Sequence, residues 1–360
     1  SVTNNVVYGT RGWVVDGANA IYNIVGNSWG TVENEACDIA LIPTVNPANY
    51  PSRLAMSLAN SNAFICAQYP GGENGRATAY VNNAGPLGGS SLDPYATIQQ
   101  GVNGALAGGT VLVASGTYVE DVNINKPLTL TGAGAATTTI SGVIGGPDGA
   151  TVRIAASNVT VSGFTLTREG NNLTDWNDGG LNFAAIAIQG SHVGAVINDN
   201  IITGNRTGID INNSSGHTIR NNVITNNRTG MLFRNQTDNL NVVENSITDN
   251  WTLGVLFLDA SGGSNSPLQR SIGSTFSNND ISGNWYGQIV DRQTGGSLPA
   301  PGANLKSFRG NWLGTTAPVV TNTPTTEPGY AAQIPVVFGG TATPPGGQPD
   351  VAGEASANVQ

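Results

Sequence analysis

Three segments in the middle of the chain repeat one pattern of apolar and polar positions. They read AIAIQGSHVGAVINDNIITGNRT (185–207), GIDINNSSGHTIRNNVITNNRT (208–229) and GMLFRNQTDNLNVVENSITDNWT (230–252), so the period is 22 or 23 residues. Each unit contains an apolar strand, a polar turn, a second strand that ends near Asn, a third short strand and an Asn/Gly turn. Three short strands per period predict one coil of a parallel β-helix.

Stacking of equivalent positions predicts which residues fill the core and which form the corners. Residues one period apart lie about 4.8 Å apart along the axis of such a solenoid. Ile209, Met231 and Val255 are therefore expected to stack in one interior column. Asn tolerates the left-handed corner conformation, and its amide can bond to the next coil. The predicted corner columns are Asn198, Asn221 and Glu244, and Asn205, Asn227 and Asn250.

The segment 93–142 is predicted to open the solenoid. Ile98, Val102 and Leu106 recur at helical spacing, which predicts an amphipathic helix over 94–107. That helix would cap the first coil and hide its open strand edge, which would otherwise promote aggregation. The strands expected to follow it are 110–114, 118–119, 122–124, 128–131 and 139–140.

This opening resembles that of right-handed parallel β-helix proteins, a group that includes bacterial surface β-helix repeat proteins, pectin methylesterases and a periplasmic carbohydrate-binding and sugar-hydrolysis group. The similarity lies in ATIQQGVNGA, GGTVLVASGTYVEDVNINKPLTLTGAG and the later NNVITNNRTGM units, and it covers roughly 79–315. It implies an all-β fold, a right-handed parallel β-helix. It does not imply one function, because this scaffold carries lyases, hydrolases, epimerases and inert fibres alike.

The beginning of the chain repeats its far end. Val14-Val15-Asp16 corresponds to Ile289-Val290-Asp291, and GNSWGT (26–31) corresponds to GNWLGT (310–315). We predict a terminal coil and an irregular Cys-containing segment in 1–75, the β-helix in 76–318, and an extended Pro/Gly/Thr-rich tail in 319–360. The chain is either a window of a tandem array or a protomer that stacks end to end, and both arrangements produce a fibre.

Composition limits the kinds of partner that the protein could bind and indicates its cellular compartment. Charged residues are 10% of the chain and the net charge is −9, which argues against nucleic acid and against an anionic membrane surface. No apolar run approaches the roughly 20 residues of a membrane-spanning helix, so membrane insertion is not expected. Low Lys content and abundant Asn and Thr favour an extracellular or cell-surface protein, in which Cys37 and Cys66 would form a disulfide. Two buried free thiols are the alternative.

Catalytic chemistry is not indicated by the motifs. The Asn-Thr-Asp, Asp-Asp, His-Gly and Arg-Ile-Lys motifs that resemblance to polygalacturonases would imply, and the Asp-Pro-His motif of alginate epimerases, are absent. Pectin-esterase-like sites need two Asp, an Arg and Gln residues on neighbouring coils, whereas Asp210 is predicted to stack with Ala187, Leu232 and Leu256. His192 and His217 alone make a poor metal site. We expect no enzyme and no cofactor, and leave calcium open.

An outward row of aliphatic side chains points to assembly. Ala187, Asp210, Leu232, Leu256 and Ile289 are predicted to share it, and either the loop 171–182 or another molecule would cover it. The leading hypothesis is a non-catalytic structural or adhesive module of an extracellular bacterial filament or giant surface protein, with copies of itself, adjacent modules or cell-surface glycans as partners. The residues expected at the assembly interface are Val2, Val6, Trp13, Val15, Leu232, Leu256, Ile289 and Trp312.

Two alternatives remain open. One is a polysaccharide-active enzyme of the β-helix class, and the other is a carbohydrate-binding module without catalysis. A groove lined by aromatic residues would favour the second, and the candidates are Trp176, Trp251, Trp285 and Tyr286.

Overall fold

The computed structural model describes residues 76–83, 94–143, 149–169, 183–284, 287–293 and 304–316, together with five short strands between residues 6 and 67. The chain divides into two compact units. The first is Ser1–Ala114 with Leu128–Leu130, and the second is Ser115–Pro127 with Thr131–Gln360. The predicted residue Val2 and the predicted tail lie outside the described residues.

The first unit contains a helix, Ile98–Gly104, that packs on two parallel strands, Arg76–Val81 and Ala105–Val113. Thr97 begins the helix with a capping box, in which its Oγ1 accepts from the Gln100 N–H at 3.2 Å and its own N–H donates to Gln100 Oε1 at 3.1 Å. A Cβ at residue 101 would lie 2.5 Å from Val81 Cγ2, so the close approach requires glycine.

The helix is shorter than the predicted 94–107. Ala105 is already extended (φ −77°, ψ 146°), and Leu106 lies in the following strand with 39% of its surface exposed. The helical spacing of Leu106 was therefore coincidental. At the other end, Tyr95 makes a parallel bridge with Val81, which keeps the chain extended until Thr97.

Five short strands precede this region in the same unit. Val6–Val7 pairs in parallel with Ser28–Trp29, and a three-stranded parallel sheet has the order Trp13–Val15, Ile39–Leu41, Ile65–Ala67. The segment that we expected to be irregular thus contributes two strands. Cys66 lies in the last of them, opposite Ala40, whereas Cys37 lies outside the described residues, so their disulfide stays a prediction.

The second unit is a right-handed parallel β-helix, and its chain visits three parallel sheets in turn. Sheet A contains Thr160–Ser162, Val196–Asn198, Thr218–Arg220, Asn241–Val243 and Thr275–Ser277. Sheet B contains Gly116–Val119, Thr138–Gly142, Thr165–Arg168, Ile201–Thr203, Val223–Thr225 and Ser246–Thr248. Sheet C contains Val122–Ile124, Ala150–Ile154, Ala184–Gln189, Thr207–Asn212, Thr229–Arg234, Leu253–Leu258 and Gly287–Asp291. The strand Leu128–Gly132 has residues in both units.

The core of the second unit is built from interior columns, as the repeat predicts. Ile209, Met231 and Val255 stack in register and are fully buried. Ile289 continues this column opposite Val255, so its predicted place in the outward row was wrong, and Val290 lies opposite Leu256 instead. An interior aliphatic at this position keeps the polar Gln288 out of the core.

Two ladders of buried asparagines run along the turns. The predicted Asn205, Asn227 and Asn250 ladder is confirmed and continues to Asn284. In the other predicted corner column, Asn221 and Glu244 are confirmed as corner residues with positive φ, whereas Asn198 was wrong, because Asp199 occupies that corner. Each of these corner residues directly precedes an asparagine of the second ladder. The second ladder consists of Asn200, Asn222, Asn245, Asn279 and Asn311.

An ion pair is enclosed near the last described coil. Lys306 Nζ donates to Asp291 Oδ2 at 2.6 Å, and neither residue is exposed. The ammonium also lies 4.9 Å from the centre of the Phe257 ring, in cation–π geometry. Burial lowers the pKa of Lys306, and the Asp291 carboxylate opposes that shift.

Candidate functional site

The outward face of sheet C holds a connected cluster of polar side chains around Asp210. Asp210 lies at the centre of Thr207–Asn212, where its neighbours in register are Ala187 and Leu232, as predicted. The next outward position along the strands is polar on three successive coils, and it is occupied by Gln189, Asn212 and Arg234.

Arg234 holds the Asp210 carboxylate from the neighbouring coil. Its Nε donates to Oδ1 at 3.0 Å, and its Nη2 donates to Oδ1 at 2.9 Å and to Oδ2 at 2.8 Å. From the coil before, Gln189 Nε2 donates to Oδ1 at 3.4 Å, and Asn212 Nδ2 donates to Gln189 Oε1 at 2.9 Å. Both carboxylate oxygens are therefore occupied.

Burial and charge act in opposite directions on Asp210. Its side chain is 3% exposed, whereas that of Arg234 is 26% exposed. Burial raises the pKa of Asp210 above its ordinary value, and the attraction and hydrogen bonds of Arg234 oppose this shift without cancelling it. The cluster thus consists of a buried carboxyl group that is paired with a partly exposed guanidinium group.

The cluster has one carboxylate where paired-carboxylate chemistry needs two. Glycoside hydrolysis, for example, uses two carboxyl groups at a defined separation across the substrate. The residues in register with Asp210 on either side are apolar, and the next carboxylate along sheet C, Asp291, points inward to Lys306. Arg234 was not singled out in the sequence analysis. The signal that could have identified it is its alignment with Asn212 and Gln189, which occupy the next outward position of their strands after the Asp210 row.

The aliphatic row beside Asp210 is buried within the chain itself. Leu232 is 7% exposed and Leu256 is 9% exposed. Contact between these side chains and another molecule would therefore require their cover to move. Their role in assembly stays a prediction, as does that of Trp312, which is 48% exposed and pairs through its backbone with Asp280.

The two histidines lie in turns of adjacent coils, and hydrogen bonds occupy the ring of one of them. His217 Nδ1 accepts the Ala195 N–H at 3.1 Å, which places the ring proton on Nε2. Nε2 lies 2.9 Å from Ser214 Oγ, and that hydroxyl donates to the His192 carbonyl at 2.5 Å. With its proton directed at Ser214, His217 is unsuited to remove a proton from that serine, so the pair is not an activated nucleophile.

His217 makes stability depend on pH. Burial, with a smaller contribution from His192, lowers the pKa of His217 to about 4, against an ordinary value near 6.5. The unfolded chain therefore binds the proton first as pH falls, so this stabilisation is present above pH 6.5 and is lost towards pH 4. We expect wild type to lose about 3 kcal/mol more than His217→Gln between pH 7 and pH 4 in urea unfolding. His192→Gln, the control, should keep most of the wild-type pH dependence, because His192 makes the smaller contribution to the pKa shift of His217. Equal dependence on pH in wild type and His217→Gln would contradict the assignment.

The described residues contain no cluster of three His, Cys, Asp or Glu side chains placed to hold a metal ion. No described helix is long and apolar enough to cross a membrane. Of the aromatic candidates for carbohydrate binding, Trp251 is half-buried, and Trp176, Trp285 and Tyr286 lie outside the described residues.

Comparisons with solved structures find β-helix proteins at low identity. Pectin methylesterase PemA from Erwinia chrysanthemi is 14% identical, with 76% of this chain and 98% of that chain covered and a TM-score of 0.42. The ORF18 protein of Geobacillus virus E2 is 14% identical, with 61% and 55% covered and a TM-score of 0.36. The A-module of the Azotobacter vinelandii mannuronan C-5 epimerase AlgE4 is 15% identical, with 60% and 90% covered and a TM-score of 0.25.

These likenesses concern the fold alone. The chain spans about half the length of the Geobacillus virus protein. None of the curated proteins matches the chain. A family model does match: residues 102–286, just over half of the chain, fit the model described as "Periplasmic copper-binding protein (NosD)".

Proposed function

This chain belongs to the NosD family of periplasmic copper-binding proteins, and we propose that it is an exported, non-catalytic structural or adhesive module that joins end to end with copies of itself or with adjacent modules. We propose a location outside the cytoplasm together with this role. The three-sheet solenoid supplies a stiff repeating body, and the side chains on the strands of sheet C support a structural use.

The observation that supports the proposal best is that each carboxylate on the strands of sheet C forms an ion pair with a basic side chain. Its seven strands contain two carboxylates, Asp210 and Asp291. Arg234 holds the first and Lys306 holds the second. A general acid or base must exchange a proton with a substrate, and a carboxylate enclosed in a bidentate or buried ion pair is poorly placed to do so.

Strand edges in the first unit support end-to-end joining. Among the described strands, Trp13–Val15 is an outer strand of its three-stranded sheet, and Val6–Val7 belongs to a two-stranded one. An edge strand presents N–H and C=O groups that recruit another strand. The partner strand would come from another copy or from a neighbouring module.

The test compares assembly of the full chain with that of a chain that lacks residues 1–31. We expect the full chain to sediment as a series of oligomers and to form filaments in negative-stain electron microscopy, and the shortened chain to stay monomeric with an unchanged β-rich circular dichroism spectrum. A chain that lacks 319–360 is the matched control and should still assemble. Filaments from the chain without residues 1–31, or none from the full chain at any concentration, would reject the proposal.

A polysaccharide-active enzyme is the second candidate, and one observation favours it. Gln189, Asp210 and Arg234 lie on three successive coils, which matches part of the two-Asp, Arg and Gln pattern of pectin-esterase-like sites. The test is release of methanol from methyl-esterified pectin, with Asp210→Asn compared with Asp249→Asn at an exposed corner. Our proposal expects no turnover by the wild type; turnover abolished by Asp210→Asn alone would establish the enzyme.

A further inference from the structure

We infer that the described β-helix coils of this chain lack a ligand set for copper, so that copper binding is not a property of this family member's solenoid. The inference concerns the family description and is independent of the proposed structural role. It rests on where the nitrogen and sulfur donors lie and on the bonds they already make.

The chain has few side chains of the types that bind copper. Copper(I) prefers thiolate and thioether sulfur, and copper(II) prefers imidazole nitrogen. The 360 residues include two His, two Cys and two Met. The described side chains account for three of these six, namely His192, His217 and Met231.

The ring of His217 is occupied on both nitrogens. Nδ1 accepts the Ala195 N–H, and Nε2 lies against Ser214 Oγ in a site where His217 is 1% exposed. Copper at Nδ1 would leave the buried Ala195 N–H without its acceptor, which is unfavourable when no other acceptor replaces the nitrogen. Copper at Nε2 would have to replace the proton and separate the ring from Ser214.

Met231 is enclosed in the apolar interior. It stacks between Ile209 and Val255, and none of its surface is exposed. A copper ion on its sulfur would enter a core without a second nitrogen or sulfur donor, because its column is otherwise aliphatic. Met231 is therefore a packing residue.

One accessible donor is left on the described coils. His192 is half-buried, and a single imidazole does not make a copper site. The remaining donors, Cys37, Met56 and Cys66, fall within one stretch of 30 residues, 37–66, in the other unit.

The experiment is an anaerobic copper(I) titration of the reduced full chain against the chelator bicinchoninate. We expect His192→Gln and Met231→Leu to change the copper affinity by less than twofold. Complete loss of uptake in Cys37→Ser/Cys66→Ser, or no uptake by the wild type, would support the inference. A loss of tenfold or more in either the His192 or the Met231 variant would overturn it.

His217→Gln could disturb folding, so His217 is followed in the wild type. Nitrogen NMR of the histidine rings should show protonated Nε2 and unprotonated Nδ1 at pH 7. One equivalent of copper(II) should leave the His217 signals unchanged. Selective broadening of those signals at one equivalent would show that the solenoid binds copper and would overturn the inference.

Discussion

Lys306→Met is expected to lower the free energy of unfolding by about 3–5 kcal/mol, because it leaves the Asp291 carboxylate buried without its charged partner, although the Gln293 N–H still donates to Asp291 Oδ1 at 2.8 Å. Lys306 Nζ is 2.6 Å from Asp291 Oδ2, and neither side chain reaches solvent. Urea unfolding followed by circular dichroism measures the change.

The double variant Asp291→Leu/Lys306→Met distinguishes the net contribution of the ion pair to stability from the cost of leaving one charge unpaired. Replacing both charges with apolar groups of similar size should return stability to within about 1 kcal/mol of wild type, or above it. Asp280→Asn is the matched control at a partly exposed carboxylate. If the losses of Asp291→Leu and Lys306→Met simply add in the double variant, the two groups do not interact, which would contradict this prediction.

Asn222→Ala is expected to cost about 3 kcal/mol, because it removes the centre of a ladder and leaves buried groups without partners. Asn222 Nδ2 donates to the carbonyls of Ile197 and Arg220 and to Asn245 Oδ1, at 2.9–3.0 Å. Its Oδ1 accepts from the N–H and the Nδ2 of Asn200 at 3.1 Å. The measurement is again urea unfolding.

The adjacent residue provides the control. Asn221 is exposed and has φ 53°, a conformation that glycine adopts without strain. Asn221→Gly should therefore change stability by no more than about 0.5 kcal/mol. A similar loss in both variants would mean that the buried ladder does not determine the effect.

The coils could be predicted from the sequence because their interior residues repeat at a constant spacing. Ile209, Met231 and Val255 share a column that no other register would bury. The last strand broke this regularity: aligning Gly287 with Gly254 put Ile289 in the outward row. In the structure, Gly287 lies opposite Leu253, and Gln288 Oε1 accepts from Asn284 Nδ2 at 2.9 Å.

The polar contacts were harder to predict because they depend on one-residue offsets and on insertions. The ladder Asn222 follows the corner Asn221, and both are Asn, so the sequence alone did not distinguish the buried one. Lys306 meets Asp291 across an insertion that interrupts the period. Arg234 was not singled out from the sequence, because only the register of the strands places it beside Asp210.

The asparagine ladders also give the solenoid a direction. At every rung the amide nitrogen belongs to the earlier coil and the amide oxygen to the later one, from Asn200 to Asn222, Asn245, Asn279 and Asn311. To extend this row of hydrogen bonds beyond Asn311, the next coil would have to place an acceptor oxygen beside Asn311 Nδ2. Two copies abutted head to head would bring like groups together, so we expect any fibre of this protein to be polar, with all copies pointing the same way.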